Sequence, residues 1–369
     1  MIRVFKHDQG RKTESLKRLL LQYIQKNELK KGDKLPSQSV LRQQLGLSGT
    51  TVIRAIRSLV EENILEVRDN VGTFVATDRS QIQSGCVIGL LGIPSIFRIL
   101  PQYPMMLTEL QNKLFRYGFQ PMIFPTIATS DDIRVCLENY PKLQRAIEQS
   151  KIDAVVDFSC ITDEDCQYLK EQKIPYSRES SFASSYSGLY LDIVRYFNEA
   201  VEDLLANHCR KPMLITSPNP QLKPLWLDVL KEKMPDCRNP EESICYATDS
   251  SRAIQLAFEL KEKTDRPDSF VFLDESIGLY LLTAMDRIGL TQAHYDPFII
   301  STATAEMPLL MPREKIIYYE MKLDEMMEQL AEIIAEALDF RNKKQTKKSV
   351  CYPLRRIGLR PLIKESITK

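Results

Sequence analysis

The stretch LSGTTVIRAIRSLVEENIL, residues 47–65, decides how the first part of this chain is read. At about 100° of turn per residue, Val52, Ala55, Ile56, Leu59 and Val60 gather on one side of a helix, the spacing a buried stripe requires. Gly49, Thr50, Ile53, Arg54 and Arg57 gather on the other. Such a face also occurs on an ordinary solvated helix, because scattered apolar residues are normal at a surface. The neighbouring residues tip the balance. QSVLRQQL, residues 38–45, reads as a short helix capped by Ser37 and ended by a left-handed Gly46, and Ser48 caps the helix that follows. A short helix and a tight turn before a longer helix is the arrangement that places the second helix in a major groove. Gly49 and Thr50 permit close approach at its N-terminus, where backbone N–H groups favour phosphate. Arginines take guanine edges bidentately, and Ile53 suits a thymine methyl. The face is expected to read DNA.

Outward from this stretch, ESLKRLLLQYIQKN (residues 14–27) is an amphipathic helix with Leu16, Leu19, Leu20, Tyr23 and Ile24 inward. Lys17, Arg18 and Lys26 are expected among its outward residues. ILEVRDNVGTFVAT (64–77) alternates through two short strands joined by RDNVG. Three helices and a hairpin complete a small core within residues 1–76, with no room for a catalytic cleft. Residues 77–85, TDRSQIQSG, are polar and aperiodic and read as a linker.

Beyond the linker the pattern changes. CVIGLLGI, FQPMIFP, IDAVVDFS, KPMLITSP, SFVFLDES and DPFIIST are short apolar runs, each suited to a strand buried on both faces. Between most of them lie helical patterns at 102–117, 131–149, 190–207, 222–233, 250–263 and 276–288. This alternation predicts an α/β architecture of parallel sheets covered by helices, and residues 86–369 are long enough for two doubly wound lobes.

Charge follows the same division. Residues 1–80 hold 15 Lys and Arg against 9 Asp and Glu, whereas the remainder holds 35 against 40. A basic module joined to a mildly acidic one points to a polyanion partner for the first alone. The basic run RNKKQTKK at 341–348 reads as a solvated helix end. Eight cysteines without a CxxC pair, and three histidines, offer no metal-ligand spacing, so no metal is expected. No apolar run spans a bilayer and the N-terminus has no signal-peptide core, so no membrane partner and a cytoplasmic location are expected.

GDKLPSQSVLRQQLGLSGTTVIRAIRSLVEENILEVRDNVGTFV resembles the winged helix-turn-helix of GntR-family transcriptional regulators, through its GxKLPS entry, its LGLSxxTV turn and its closing GTFV wing. The resemblance covers residues 13–76. It implies DNA contacts from Ser37 and Arg42, from Ser48, Gly49, Thr50, Thr51, Ile53, Arg54 and Arg57, and from Gly72 and Thr73 in the wing. Ser39, Gly49 and Ile53 stand where the family often has arginine, so Arg42, Arg54 and Arg57 are the expected compensation. Residues 86–363 look like the effector domain of LacI-family repressors, which is similar to periplasmic sugar-binding proteins. The match runs through CVIGLLGI, YLDIVRYFNEAVEDLLANHCRKPMLITSP, DSFVFLDESIGLYLLTAMDRIGL and LRPLIKES.

The expected fold is therefore a winged head and a two-lobed, doubly wound periplasmic-binding-protein-like (type I) domain. A crevice outside the strand C-termini suits a small polar effector, by resemblance a carbohydrate. Candidate ligand residues are Ser95, Phe97, Arg98 and Tyr103 after the first strand, Asp157 and Ser159 after the third, and Arg178 in YSRES. Asp192 and Asp274 match family positions at the cleft, with capping of the helix that follows as the alternative for each. Phe97 and Tyr103 could stack on a sugar face or be core. Relatives usually carry a sugar-clamping arginine near 222–227; here Lys223 or Trp226 is the candidate substitute.

These features predict a regulator, expected to be a repressor, binding a near-palindromic double-stranded operator as a homodimer under control of that effector. No catalytic residue and no cofactor are expected. The alternatives are a DNA-binding protein with a ligand-blind sensor and a GntR-headed pyridoxal-phosphate enzyme. No Schiff-base lysine motif, GxSxG elbow, P-loop or HExxH supports the last.

Overall fold

The computed structural model describes residues 2–77, 86–92, 102–126, 136–149, 151–158, 161–180, 186–247, 249–291, 295–306, 311, 316–338 and 349–359. The N-terminal elements are α1 (Ile2–Lys26), α2 (Gln38–Leu45), α3 (Gly49–Glu61), β1 (Leu65–Arg68) and β2 (Gly72–Val75). Leu16, Leu20 and Ile24 of α1 meet Leu41, Val52, Ala55, Ile56 and Leu59 in one apolar cluster closed by Leu65 and Val75. Each helix end follows from its sequence. Ser37 accepts from the Val40 amide at 3.3 Å, Ser48 accepts from the Thr51 amide at 3.2 Å, and Gly46 adopts φ 61°. β1 and β2 pair antiparallel with Arg68 opposite Gly72.

A six-stranded sheet of order β13-β7-β6-β5-β3-β4 follows. Its strands are β3 (Val87–Gly92), β4 (Gln120–Pro125), β5 (Ala154–Asp157), β6 (Tyr176–Ser180), β7 (Ser187–Leu191) and β13 (Ser349–Tyr352). β3 pairs parallel with both β4 and β5, and β5 with β6. Helices α4 (Tyr103–Arg116), α5 (Pro141–Glu148) and α6 (Asp163–Glu171) connect these strands.

A second six-stranded sheet has the order β14-β12-β11-β10-β8-β9. It comprises β8 (Pro212–Thr216), β9 (Ile244–Tyr246), β10 (Ser269–Phe272), β11 (Phe298–Thr304), β12 (Ile316–Met321) and β14 (Arg355–Leu359), all parallel except the antiparallel β12–β14 pair. Its helices are α7 (Ile193–Ala206), α8 (Leu222–Lys233), α9 (Ser250–Glu262) and α10 (Glu275–Arg287), and α11 (Leu323–Ala337) follows β12. Every residue of β8, β10 and β12 is buried, which explains their near-continuous apolar sequences.

All six predicted apolar runs are strands. The structure adds β6, β7, β9, β12, β13 and β14, together with α6 and α11, which the run-and-helix pattern had not resolved. Among the described residues no helix is long and apolar enough to cross a membrane.

The chain divides into two compact units, Met1–Ser95 with Met106–Leu189 and Met327–Val350, and Ile96–Met105 with Tyr190–Met326 and Cys351–Lys369. The winged head therefore groups with the first sheet, whereas the sequence suggested a head set apart by residues 77–85. The contacts that join them lie on α1. Arg18, expected to face solvent, has its side chain 9% exposed and forms an ion pair with Asp153, whose side chain is 4% exposed. A polar residue on the outer face of one small core is here an inner residue of a larger unit.

Candidate functional site

On α3 the two faces separate as the periodicity requires. Val52, Ala55, Ile56 and Leu59 are buried, while Thr50, Ile53, Arg54 and Arg57 are exposed. Ile53 is 46% exposed, an apolar side chain left in water beside two guanidinium groups. Arg42 of α2 lies alongside the start of α3: a Cβ on Gly49 would sit 3.4 Å from its Nε. The Ser48 hydroxyl lies 2.8 Å from both the Thr50 and the Thr51 hydroxyls, so the helix N-terminus carries a small cluster of oxygens beside its amides. Ser37 and Ser48 are exposed, and both are engaged as caps.

Two candidates turn inward. Thr51 and Thr73 are buried, Thr51 against its cap and Thr73 within the wing strand. Neither side chain presents a surface to DNA, because the alternation of the hairpin and the first turn of α3 direct them to the core. Pattern reading passed over Arg68 of the wing, which is ion-paired with Glu66, and Lys34 of the turn before α2. The Arg68 guanidinium lies 4.3 Å from the centre of the Phe74 ring and Lys34 Nζ 5.9 Å from it. Gly72 adopts φ 139°, a backbone conformation that residues with a Cβ rarely take, and the Lys34 side chain passes beside it.

In the first sheet, Asp157 and Arg178 are brought together by the parallel pairing of β5 with β6, which sets them opposite one another. Arg178 Nε lies 3.2 Å from Asp157 Oδ1, and its Nη2 donates to the Ile161 carbonyl at 2.8 Å. Tyr176 donates its hydroxyl proton to Asp157 Oδ2 at 2.5 Å. Burial, reinforced by the Asp157 charge, pushes the Tyr176 hydroxyl well above its ordinary value. Glu179, which follows Arg178, is pushed up to about 7, first by burial and then by the same Asp157 charge. The candidates Asp157 and Arg178 are thus satisfied by one another and by the backbone.

In the second sheet's unit, Asp274 caps α10, accepting from the Ser276 amide at 2.8 Å and the Ser276 hydroxyl at 2.5 Å. Burial raises its carboxyl above the usual range, against the lowering effect of the Ser276 bonds. Asp192 caps α7 through the Arg195 amide at 3.1 Å. The capping alternative holds for both residues. Trp226 is a correction: it is fully buried, edge-on to Phe197 at 5.2 Å between ring centres, with its indole N–H donated to Ser243 at 2.9 Å. Its hydrophobic area fills the core instead of facing a ligand. Lys223 stays at the surface in an ion pair with Glu241 at 3.2 Å. Tyr103 is buried at the start of α4. Ser95, Phe97, Arg98 and Ser159 lie outside the described residues.

Residues that sequence reasoning missed include Glu275, which accepts from the Thr304 amide at 2.9 Å and ties α10 to the C-terminal end of β11. Thr302 and Thr304 are buried on β11 with hydroxyls that meet no hydrogen-bond partner among the described residues. The sequence STAT was legible as the end of a strand, but not as a pair of inward hydroxyls. Among the described residues no cluster of three or more His, Cys, Asp or Glu is arranged to hold a metal.

Residues 12–75 match the family of bacterial regulatory proteins, gntR family. They form a GntR-type DNA-binding domain. The mannosyl-D-glycerate transport/metabolism system repressor of Escherichia coli (strain K12) is 46% identical over 56 residues, which are 15% of this chain and 23% of that protein. The histidine utilization repressor of Klebsiella aerogenes is 35% identical over 68 residues, 18% of this chain and 28% of that protein. The chain thus spans about a quarter of the length of these curated relatives, and the likeness is confined to the GntR-type head.

The sheet-bearing part has the fold of LacI-family regulators. A structure of the Cra transcriptional dual regulator from Pseudomonas putida, in complex with fructose 1-phosphate, aligns at TM-score 0.59 and 13% identity, covering 74% of this chain and 98% of that one. A LacI-family regulator from Enterococcus faecium with bound ribose aligns at TM-score 0.57 and 17% identity, covering 75% and 99%. At these identities the likeness is one of fold.

Proposed function

We propose that the chain is a transcriptional repressor that binds a near-palindromic DNA operator through its GntR-type head. The observation that carries this reading is the outward face of α3, where Ile53, Arg54 and Arg57 stand exposed beside an N-terminus left open by Gly49. Arg42, Lys34 and Arg68 extend the same positive character over α2 and the wing, as phosphate contacts require. The two sheets supply the sensor: parallel strands end on loops that suit a small polar effector, and the sugar-bound neighbours favour a carbohydrate. Asp157, Arg178, Asp192 and Asp274 then act chiefly as the frame of that sensor. Thr302 and Thr304 are better placed to gain a hydrogen bond. None of these roles calls for catalysis.

Two heads are needed to find one operator among genomic competitors, so the chain acts as a homodimer. Ile254 and Phe258, one turn apart on α9, and Tyr280 on the adjacent α10 leave apolar area exposed that a second copy would cover. Selection of duplexes from a random pool, followed by footprinting, tests the reading. A recovered motif with two related half-sites is expected, and a failure to enrich any sequence would sink it. A monomer at micromolar concentration in sedimentation, unchanged by the recovered operator, would remove the dimer.

A second reading is favoured by the internal satisfaction of the candidate ligand groups. In it the head binds DNA and the sensor answers to nothing. Calorimetry against a panel of sugars and sugar phosphates separates the two, since a live sensor gives heat and shifts operator affinity by about 5–150-fold.

A further inference from the structure

Helix α1 has two buried faces. Leu16, Leu20 and Ile24 belong to the head's apolar core, which α3 shares. Arg18, Gln22 and Gln25 form a polar stripe at spacings of four and three, and that stripe lies on the first sheet's domain. Arg18 Nε is 2.6 Å from Asp153 Oδ2. The same carboxylate oxygen accepts from the Val87 amide at 2.8 Å, and the Asp153 amide donates back to the Val87 carbonyl at 2.9 Å. Asp153 is therefore fixed where β3 begins and β5 is entered. One turn along α1, the buried Cys86 thiol donates to Gln22 Oε1 at 3.2 Å. A further turn along, Gln25 rests on Gly118, where any Cβ would fall 2.6 Å from Gln25 Oε1.

We infer that Asp153 is a positioning residue for DNA recognition: through Arg18 it locks α1, and with it α3, to the first sheet's domain. The head is then carried by the sensor as one body and does not swing on a tether. A buried charge that has lost its partner is strongly destabilising, so loss of either member should release the head. The DNA consequence rests on the regulator reading proposed above, whereas the docking itself does not.

The full-length protein is treated with N-ethylmaleimide, and labelling is followed peptide by peptide. Cys351 is exposed and serves as the fast reference; Cys166, on the buried face of α6, reports on unfolding of the first sheet's domain. In the unmodified protein Cys86 should label slowly. Asp153→Asn keeps an acceptor for the Val87 amide and removes the charge. It should speed Cys86 labelling at least about tenfold while Cys166 stays protected, since local opening need not be global. Arg18→Met, which keeps the aliphatic stem, should do the same, and the double variant should add little to either. Both variants should bind a non-specific duplex as the unmodified protein does, yet lose about tenfold on a selected two-half-site operator. Rapid Cys86 labelling in the unmodified protein, or full protection in both variants, overturns the lock. Released Cys86 with unchanged operator affinity overturns the positioning role. An unmodified protein that binds no DNA, with Cys86 released by both variants, removes the regulator reading and leaves the lock standing.

Discussion

The exposed face of α3 and the strand ends of the two sheets were equally rich in candidate side chains, and they behave differently. On α3, Ile53, Arg54 and Arg57 remain at the surface, while the helix is held by its other face and by the Ser48 cap. At the strand ends, Asp157 and Arg178 bond one another and Asp274 and Asp192 cap helices, while Trp226, within α8, fills a core. A helix with an intact apolar stripe is held by that stripe, so polar residues on its opposite face stay exposed to a partner. The end of a parallel strand must satisfy helix N-termini and buried backbone before it can serve anything else. Polar residues at such places are claimed first by the fold.

The widest test of that contrast is Trp226→Ala. If Trp226 is core, the variant loses about 3–5 kcal/mol in urea unfolding. A ligand-stacking tryptophan would lose effector binding with stability little changed. Arg178→Met should follow closely, at about 3 kcal/mol, because Asp157 would stay buried without its cation. Unaltered stability with altered effector response would return Arg178 to the ligand site.

Glu179 sharpens the comparison through pH. Its carboxyl is raised in the folded protein from 4.5 to about 7, so its contribution is fully present below about 4.5 and is lost as pH rises through 7. Unmodified protein should therefore gain stability over Glu179→Gln as pH falls across that window, by at most about 3 kcal/mol. A difference that is flat with pH would place Glu179 in water. The smallest effects belong to α3. Arg54→Ala and Arg57→Ala should leave unfolding unchanged within about 0.5 kcal/mol and weaken operator binding by about 1–3 kcal/mol where the arginine reads a base. Where it meets only phosphate, the salt slope should flatten by about 0.9. Destabilisation without any loss of binding would show that this face serves the fold as well.

The sequence made plain what rests on local rules. The caps at Ser37 and Ser48, the Gly46 terminus, the α3 stripe and six apolar strands all follow from neighbours in the chain. What it hid depends on distant partners. Arg18 has the spacing of a solvated residue, and only the approach of Asp153 makes it buried. Asp157 and Arg178 are 21 positions apart and meet because β5 and β6 pair in one register. Thr51 and Thr73 have the chemistry of DNA contacts, yet their backbone positions direct them inward. β6 was missed for a related reason: YSRES is too polar to resemble a strand until the groups that satisfy it are known.

The first sheet has a consequence for synthesis on the ribosome. Its edge strand β13 begins at Ser349, beside β7, which ends at Leu191, and nearly the whole second unit is encoded between them. At roughly 5–20 residues per second, a ribosome takes about ten to thirty seconds to cover that interval. The newborn chain therefore holds a finished DNA head while the sheet beneath it still lacks its last strand, with the backbone of β7 open along one side. Such an edge invites pairing with another chain. On a crowded polysome the neighbouring copies of this same protein are the first strands it can meet.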